Sequence, residues 1–271
     1  MPELPEVETT RRGLLPHVVG RSIRDVVVRN PNLRWPVTKN LARRLRGERV
    51  RDIRRRGKYL LFDFPRGHLL VHLGMSGRLT VVPGQTAPRK HDHVDIVLDD
   101  GKAMRLNDPR RFGAVLWLDS PAEKHALLRG LGLEPLDATF SGAALHERAR
   151  GRRVAIKQFL MNGGIVTGVG NIYASEALFG AGIHPARSAG RISAPRWERL
   201  ADSIRHTLEN AIDAGGSTLR DFVSAEGRPG YFQHRHAVYD RAGKACPRCR
   251  AKIRAIRQGQ RSTFFCPRCQ T

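Results

Sequence analysis

The sequence predicts an α+β protein with a β-rich N-terminal part, a helical middle part and a small metal-binding end. Three observations predict this order. Short alternating or apolar runs, separated by Gly, Pro and Asp, fill residues 22–118, which is typical of antiparallel strands. Beyond about residue 120 the apolar residues recur with the helical period of 3.6. All four cysteines lie within residues 246–271.

The first predicted element is a helix over residues 5–15. Pro5 suits the first helical position, and Glu6 and Glu8 suit the positive end of the helix dipole. The predicted strands then run from VVVR to KAMRL, and one short helix near TKNLARRLRG interrupts them. Either a β-sandwich or a β-barrel accommodates this pattern.

Residues 119–142 are rich in turn formers and are interpreted as a linker or hinge. The clearest helix lies in SAPRWERLADSIRHTLENAIDAGG, where Ser193 is the predicted cap and Gly215-Gly216 the predicted end. Its apolar positions keep the 3.6 period: Trp197, Leu200, Ala201, Ile204, Leu208, Ala211 and Ile212. Residues 218–237, which contain GRPGYF, are predicted to form a loop.

The charge balance indicates a polyanionic partner. The chain of 271 residues has 48 Lys and Arg against 25 Asp and Glu, a formal charge of +23. Such an excess repels itself in a compact fold unless a polyanion screens it, so nucleic acid is the first interpretation. An anionic membrane surface is the second, but there is no basic amphipathic helix with an aromatic face to dock there. No apolar run approaches the length of a membrane span.

The cysteine spacing predicts a zinc site. Two CPRC motifs separated by sixteen residues supply Cys246, Cys249, Cys266 and Cys269 as four thiolates for one tetrahedral ion. The segment between them reads as a β-hairpin around the turn QGQ. Two disulfides or a redox dithiol pair are the alternatives. We expect a closed, structural site in a protein of a reducing compartment.

Several weaker signals accompany the charge. RDIRRRGKYLL is a basic strand-like run, NDPRRFG places Arg110 and Arg111 beside an aromatic residue, and GVGNIYASEAL is a glycine turn that opens a helix. An Arg–Phe pair in a turn suits a wedge in a base stack, and free N–H groups at a helix start suit phosphate. Taken singly, each feature is more common as ordinary structure, and so are the histidines at positions 72, 91 and 93.

The first residues carry the most specific chemistry. Removal of Met1 would leave Pro2 as the terminus, with an α-amino group whose pKa lies near 8. A fraction of that amine is therefore unprotonated at neutral pH and can attack a sugar carbon to form a Schiff base. Glu3 lies within reach as an acid or base. The alternative is an ordinary terminus with a proline at a helix start.

The motifs together resemble one family. PELPEVET, GKYLL, HLGMSGR, KHDHVD, DPRRFG, GVGNIYASEALF, GRPGYF and QRSTFFC follow one another from residue 2 to the C-terminal end, as in the bacterial formamidopyrimidine-DNA glycosylases. The resemblance implies an N-terminal β-sandwich lobe with flanking helices over residues 1–130. It further implies a helical DNA-binding lobe with a helix–two-turns–helix element over 131–235, and a four-cysteine zinc finger over 236–271.

The resemblance also implies roles for individual residues. Pro2 is the expected nucleophile, Glu3 the proton donor with Glu6 in support, and Lys58 and Arg261 the further catalytic residues. Lys58, His72, Asn171 and Arg261 match the family's phosphate contacts around the flipped nucleotide. The expected DNA-binding residues are His72, Met75, His91, Arg110, Phe112, Arg152 and Asn171. Among these, Met75, Arg110 and Phe112 match the residues that fill the gap left by the flipped base.

The implied activity is excision of 8-oxoguanine and formamidopyrimidines from duplex DNA. A Schiff base at Pro2 would be followed by β- and δ-elimination. Zinc is expected to shape the finger and take no part in the chemistry. A monomer in the bacterial cytoplasm, bound to DNA and to no membrane, completes the expectation.

One departure and two rivals remain open. Asn162, Gly163 and Gly164 stand where family members often carry an acidic residue and, in some, a lysine, which puts the lesion contacts of this turn in question. The sister enzyme endonuclease VIII prefers oxidised pyrimidines, but its start usually reads PEGPE and it lacks the RRF turn. A non-catalytic zinc protein that binds DNA would explain the charge and the finger, but it would not need Pro2 and Glu3.

Overall fold

The computed structural model describes residues 2–119, 121–216 and 236–271. The described residues divide into two compact units, one of residues 2–129 with 214–216 and one of 130–213 with 236–271. The predicted GRPGYF loop lies outside the described residues. Within them, no helix is both long and apolar enough to cross a membrane.

The first unit is built from two helices and eight strands. They are α1 (Leu4–Val18), β1 (Ile23–Val28), α2 (Leu41–Leu45), β2 (Asp52–Arg56), β3 (Tyr59–Phe64), β4 (Gly67–His72), β5 (Arg78–Pro83), β6 (Asp92–Leu98), β7 (Lys102–Asn107) and β8 (Ala114–Leu118). The predicted first helix and the short helix among the strands are both present. A 3₁₀ turn, Ala122–Lys124, follows β8.

The strands form two antiparallel four-stranded sheets, in the orders β1-β6-β7-β5 and β2-β3-β4-β8. Alternate side chains of both sheets point into one core, which contains Ile53 and Phe62 from one sheet and Ile96 and Met104 from the other. Val7 and Leu14 of α1 join the same core. The sheets have separate edges, so the fold is a sandwich and not a barrel, as the family resemblance implied.

The second unit contains four helices and one hairpin. They are α3 (Gly142–Ala149), α4 (Ile156–Leu160), α5 (Asn171–Gly180), α6 (Ala194–Asp213), β9 (Arg254–Gln258) and β10 (Arg261–Phe265), with a 3₁₀ turn at Ala189–Arg191. The predicted apolar face of α6 is buried throughout, from Trp197 to Ile212. Helix α6 begins directly after Ser193 and ends two residues before Gly215, as the caps predicted.

The hairpin confirms the predicted turn. Strands β9 and β10 pair from Arg261↔Gln258 to Phe265↔Arg254. The two turn residues, Gly259 and Gln260, both have positive φ, the geometry of a tight turn whose twist matches that of the strands. The α+β class, the sandwich and the finger are therefore as predicted.

Candidate active site and nucleic-acid-binding residues

The start of the chain is held firmly by helix α1. Pro2 is buried and Glu3, the residue before the helix, is 2% exposed. A capping box ties Glu3 to Glu6: the backbone N–H of Glu3 donates to Glu6 Oε2 at 2.8 Å. The acidic residues that looked out of place at a terminus thus satisfy the free N–H groups of the first turn. Pro2 is fixed by its neighbour and does not fray.

Glu8 connects this helix to the sandwich. Its carboxylate accepts hydrogen bonds from Arg11 (2.8 Å), Arg12 (3.1 Å) and Arg55 of β2 (3.2 Å). Burial opposes ionisation of Glu8, but the Arg11 hydrogen bond and the neighbouring guanidinium charges outweigh it and lower the pKa of the carboxyl. Arg11 also donates to the carbonyl of Ile53 at 3.0 Å. Helix α1, which follows Pro2 and Glu3, is therefore fixed to strand β2 by these hydrogen bonds.

A second group lies where β3 and β4 pair. Tyr59 and His72 are directly opposite, with ring centroids 4.8 Å apart, and Lys58 precedes Tyr59 in the turn. Burial, with smaller contributions from Lys58 and Arg34, lowers the pKa of His72 to about 4. The backbone N–H of Gly74 donates to His72 Nδ1 at 3.1 Å. The neutral ring therefore carries its proton on Nε2, where it can donate to a phosphate oxygen.

The predicted wedge is a tight turn built on Asp108. This carboxylate, with no exposed surface, accepts from Ser76 Oγ at 3.2 Å and from the N–H of Gly113 at 2.8 Å. The Arg110 guanidinium lies over the Phe112 ring at 4.7 Å, and Phe112 is 38% exposed. A large exposed aromatic stacked on an arginine suits insertion between bases.

Met75 and His91 lie against this turn. Gly74, next to Met75, approaches the turn so closely that a Cβ would stand 2.5 Å from the carbonyl carbon of Phe112. The backbone N–H of Asp108 donates to the carbonyl of His91 at 3.0 Å. His91 itself has φ of 74°. The structure thus brings Met75, His91, Arg110 and Phe112 to one end of the sandwich.

In the second unit, a buried lysine organises the start of α5. Lys157 is 1% exposed, and its ammonium donates to Asn171 Oδ1 (2.7 Å), Thr263 Oγ1 (2.8 Å) and the carbonyl of Ser262 (3.2 Å). Because an ammonium only donates, it sets the amide of Asn171 with Oδ1 inward. The Asn171 Nδ2 then donates to the Ser262 carbonyl at 3.2 Å. Sequence reasoning missed Lys157.

The same contacts connect Asn171 with the hairpin residue Arg261. Arg261 is exposed, opens β10 and immediately precedes Ser262. Arg152 stands elsewhere in this unit. Its carbonyl accepts from Gly190 N–H (2.9 Å) and Ser188 Oγ (3.0 Å), and its side chain is exposed. The backbone of Arg152 is therefore fixed while its guanidinium is available.

The turn of residues 162–164, which departs from the family pattern, is ordered by Asn162. Asn162 Oδ1 accepts the N–H of Gly164 at 2.9 Å, and its carbonyl accepts the N–H of Ile165 at 2.9 Å. The Gly163 carbonyl accepts the N–H of Gly132 at 2.8 Å. Asn162 and Gly163 are exposed. Without a charged side chain here, the turn offers backbone and amide groups only.

The four cysteines converge as their spacing predicted. They are free thiols whose sulfur atoms all lie within 4.8 Å of one another. Cys246 Sγ is 3.9 Å from Cys269 Sγ, and Cys249 Sγ is 3.4 Å from Cys266 Sγ. A Zn–S distance of about 2.3 Å in a tetrahedron requires sulfur separations of about 3.8 Å. The set fits zinc, and the two-disulfide alternative is wrong.

Glu176 ties the finger to α5 and was also missed from the sequence. Its carboxylate accepts the three consecutive backbone N–H groups of residues 237–239, at 2.8 to 3.0 Å. Burial raises the pKa of Glu176, and the three N–H groups and Arg241 oppose that rise. The sequence signal for it is a single charged residue on a helix of mostly apolar residues, NIYASEALFG.

Comparisons with known proteins now identify the parts. Three family models match: the formamidopyrimidine-DNA glycosylase N-terminal domain over residues 1–115, the formamidopyrimidine-DNA glycosylase H2TH domain over 131–223, and the zinc finger found in FPG and IleRS over 243–271.

Full-length relatives agree with these models. The formamidopyrimidine-DNA glycosylases of Methylococcus capsulatus and Syntrophotalea carbinolica are 56% and 57% identical over 270 residues, covering all of both chains. The MutM (FPG) protein of Thermus thermophilus is 38% identical with a TM-score of 0.88, covering 99% of this chain and 98% of that one. Lactococcus lactis Fpg in complex with abasic-site DNA is 35% identical with a TM-score of 0.91, covering 99% of both chains.

Proposed function

Because the chain belongs to the formamidopyrimidine-DNA glycosylase family, we propose that it excises oxidised purines from duplex DNA and then cleaves the abasic strand. The observation that carries this proposal is the fixed N-terminus. Pro2 is buried beside Glu3, and a capping box holds Glu3 at the start of α1. Once Met1 is removed, Pro2 carries a secondary amine held in one place, which is the nucleophile that a bifunctional glycosylase requires.

The chemistry proceeds by attack on C1′, ring opening and two eliminations. The unprotonated amine of Pro2 attacks C1′ of the flipped nucleotide, and the glycosidic bond breaks as the base leaves with its electron pair and takes up a proton. Glu3 protonates the sugar ring oxygen, so the ring opens and an iminium forms between Pro2 and C1′. The positive iminium acidifies the C2′ proton. Loss of that proton expels the 3′ phosphate, and loss of the C4′ proton in a second elimination expels the 5′ phosphate. Water then hydrolyses the iminium, which releases the sugar remnant as an aldehyde and restores the amine of Pro2.

The other site residues are assigned to DNA. Lys58 and His72 bind a phosphate next to the flipped nucleotide, with His72 donating from Nε2, and Asn171 and Arg261 supply the corresponding contacts from the second unit. Arg152 and His91 bind the backbone further away. Met75, Arg110 and Phe112 fill the gap in the stack, because they share one end of the sandwich and Phe112 is exposed.

Zinc would be held by the four cysteines and would supply only the closed fold of the finger. We assign residues 1–130, 131–235 and 236–271 as the catalytic lobe, the helical lobe and the finger. A monomeric protein of the bacterial cytoplasm fits this assignment.

The test is borohydride trapping of the untagged protein. One duplex carries 8-oxoguanine opposite cytosine and another carries thymine glycol. We expect a covalent band that is strongest with 8-oxoguanine and absent after the N-terminus is chemically blocked. For Pro2→Gly, which replaces the secondary amine by a primary one, we expect both excision of 8-oxoguanine and the trapped band to fall strongly, because a primary amine attacks C1′ less readily.

Two outcomes would contradict the proposal. Tight DNA binding with no band on either duplex would leave a non-catalytic zinc protein. A band with thymine glycol alone would assign the chain to oxidised pyrimidines. That arm is needed because one structural neighbour is Lactococcus lactis Fpg in complex with oxidised pyrimidine DNA, at 35% identity and a TM-score of 0.90.

A further inference from the structure

A polar cavity of about 450 Å³ lies on the outer face of the sheet β1-β6-β7-β5. Strands β5 and β7 form its floor, and the loop between β5 and β6 forms its wall. The residues that give it its chemistry are Arg78, Thr80, Arg89, Lys90, Asp92 and Asn107. The chemistry proposed at Pro2 and the contacts of the wedge use none of them.

The electrostatics of the cavity are positive. Arg105 also lines it, but its guanidinium donates to both oxygens of buried Asp95, at 2.9 and 2.8 Å, and lies 3.6 Å from Asp92. Asp95 also accepts from Arg29 at 2.7 Å, so these two arginines and two aspartates balance one another. The one lining carboxylate, Asp92, is engaged by the N–H of Arg89 (2.7 Å) and by Asn107 Nδ2 (2.8 Å). The remaining charged residues that line the cavity, Arg78, Arg89 and Lys90, are all cations.

In the part of the chain that the structure describes, two of these cations, Arg89 and Lys90, have no counter-ion of their own. Among the described residues, no carboxylate oxygen lies within ion-pair distance of the side chain of Arg89 or Lys90. Both side chains are exposed. Their backbone, in contrast, is fixed: the N–H of Arg89 donates to Asp92 Oδ2 at 2.7 Å, and Asn107 Nδ2 donates to the carbonyl of Lys90 at 3.1 Å. A fixed loop that displays unpaired cations over a concave polar surface is suited to an oxyanion.

The cavity opens at the end of the sheet that carries the wedge. Arg78 begins β5, Asp92 begins β6 and Asn107 ends β7, and these positions are paired across the sheet. Met75 lies just before β5, His91 just before β6 and Arg110 just after β7. Each of these lies within three residues of a residue that lines the cavity.

We propose that this cavity binds one backbone phosphate of the duplex on which the wedge acts, through Arg89 and Lys90. The inference rests on the proposed function, because it uses the wedge to locate the DNA. The ligand is a phosphate oxyanion. It belongs to the DNA backbone in this proposal, and inorganic phosphate is the alternative source. The cavity thus extends the contact with DNA beyond the phosphates around the flipped nucleotide.

The experiment is equilibrium binding to a duplex with a stable tetrahydrofuran abasic site, measured from low to moderate salt. Arg89→Ala/Lys90→Ala should weaken binding several-fold and reduce the slope of log K against log salt by about one, the value for one phosphate. The matched control is Lys39→Ala/Arg43→Ala, which removes one exposed Lys and one exposed Arg from the start of α2 in the same unit. The control should leave the slope nearly unchanged.

A methylphosphonate scan locates the contact. Single neutral methylphosphonates are placed at each position of both strands. At one position we expect the wild type to lose affinity and the Arg89→Ala/Lys90→Ala variant to lose none. Equal slopes for wild type, variant and control, or no position that separates wild type from variant, would overturn the proposal.

A free-phosphate arm separates the two sources. Stabilisation of the wild type but not the variant by millimolar inorganic phosphate, with equal slopes on DNA, would assign the cavity to a free anion and overturn the duplex source. Trapping on 8-oxoguanine should persist in the variant at saturating enzyme. Absence of a trapped band with the wild type would instead refute the proposed function. The binding measurements do not depend on trapping, so the two failures can be distinguished.

Discussion

The N-terminal sandwich and the C-terminal finger are stabilised by opposite means. The sandwich buries apolar side chains from all eight strands and from α1 in one core. The buried cluster at the finger contains Phe179, Val238, Cys246, Ile253 and Cys266, of which two are thiol ligands and Phe179 belongs to α5. Apolar burial contributes about 25 cal/mol per Å², so the finger gains little from it.

The difference separates two ways of placing a functional side chain. In the sandwich, the ends of strands and a close backbone contact at Gly74 place the wedge. In the second unit, buried polar groups position the side chains: Lys157 orients Asn171, and Glu176 holds the first described residues of the finger. The first arrangement depends on backbone fit and apolar packing, while the second depends on complete hydrogen bonding, and the hairpin next to it depends also on a metal.

Loss of zinc should have the largest effect. Structural zinc in small fingers contributes about 10–16 kcal/mol at neutral pH, more than this apolar cluster can replace. Cys249→Ser, or strong chelation, should unfold residues 243–271 and displace Arg261. We expect affinity for the abasic-site duplex to fall about 100-fold, which corresponds to about 2.7 kcal/mol. Zinc content and gel-shift titration measure the two changes.

The sandwich is the internal control for this prediction. Its urea unfolding transition should keep its midpoint in the zinc-free protein. Cys249→His keeps a zinc ligand and should recover part of the affinity. Normal DNA binding by a zinc-free protein would show that the finger is stable without its metal, and the contrast between the regions would fail.

A substitution in the sandwich tests the other half of the comparison. Gly74 has φ of 62°, and a Cβ there would stand 2.5 Å from the Phe112 carbonyl carbon and 2.7 Å from the Gly113 nitrogen. Because both neighbours are backbone, Gly74→Ala must displace the wedge turn. We expect a loss of about 2–4 kcal/mol in the free energy of unfolding, at the upper end for single substitutions. Urea denaturation of the sandwich measures it.

The control is Gly101→Ala. Gly101 also has a positive φ, 82°, but nothing lies within 4 Å of the added Cβ. It should cost only the conformational strain, about 1 kcal/mol. Equal free energies of unfolding for the two variants would show that the contact between Gly74 and the wedge turn is not tight. The zinc content of both variants should stay at one ion, because neither substitution lies in the finger.

Local patterns made much of this molecule predictable. Helix α6, the QGQ hairpin and the cysteine ligands each follow from residues within one short segment, where period, turn chemistry or spacing is decisive. At the N-terminus, the sequence predicts that the acidic residues favour the positive end of the helix dipole. The capping box between Glu3 and Glu6 is seen only in the structure.

The missed residues depend on distant partners. Lys157 lies in AIKQFL, which reads as an ordinary helical turn, and its acceptor Thr263 is 106 residues away. Glu176 binds N–H groups more than 60 residues further on. A lysine or glutamate is normally exposed, so no local pattern marks the one that is buried. The sandwich was separated from a barrel only by the family resemblance, because pattern gives strands but not their pairing.

His72 offers the smallest and most local test. Burial, Lys58 and Arg34 together lower its pKa to about 4, so the unfolded chain binds a proton there more readily than the folded protein. Its contribution therefore reduces stability progressively as pH falls from about 6.5, the ordinary histidine value, towards 4. Ring-resonance NMR of the free protein should show His72 neutral throughout the physiological range, with the proton on Nε2.

Duplex binding should reverse part of that shift. A phosphate that accepts from Nε2 favours the charged ring, so the pKa of His72 should rise in the complex with the abasic-site duplex. Arg34→Gln should raise it in the free protein, because one of the two repelling cations is removed while burial remains. A pKa near the ordinary value in the free protein would mean that water reaches the ring. In that case the N–H of His72 Nε2 would not be a preorganised donor. The phosphate contact of the sandwich would then be no more rigid than that of the finger.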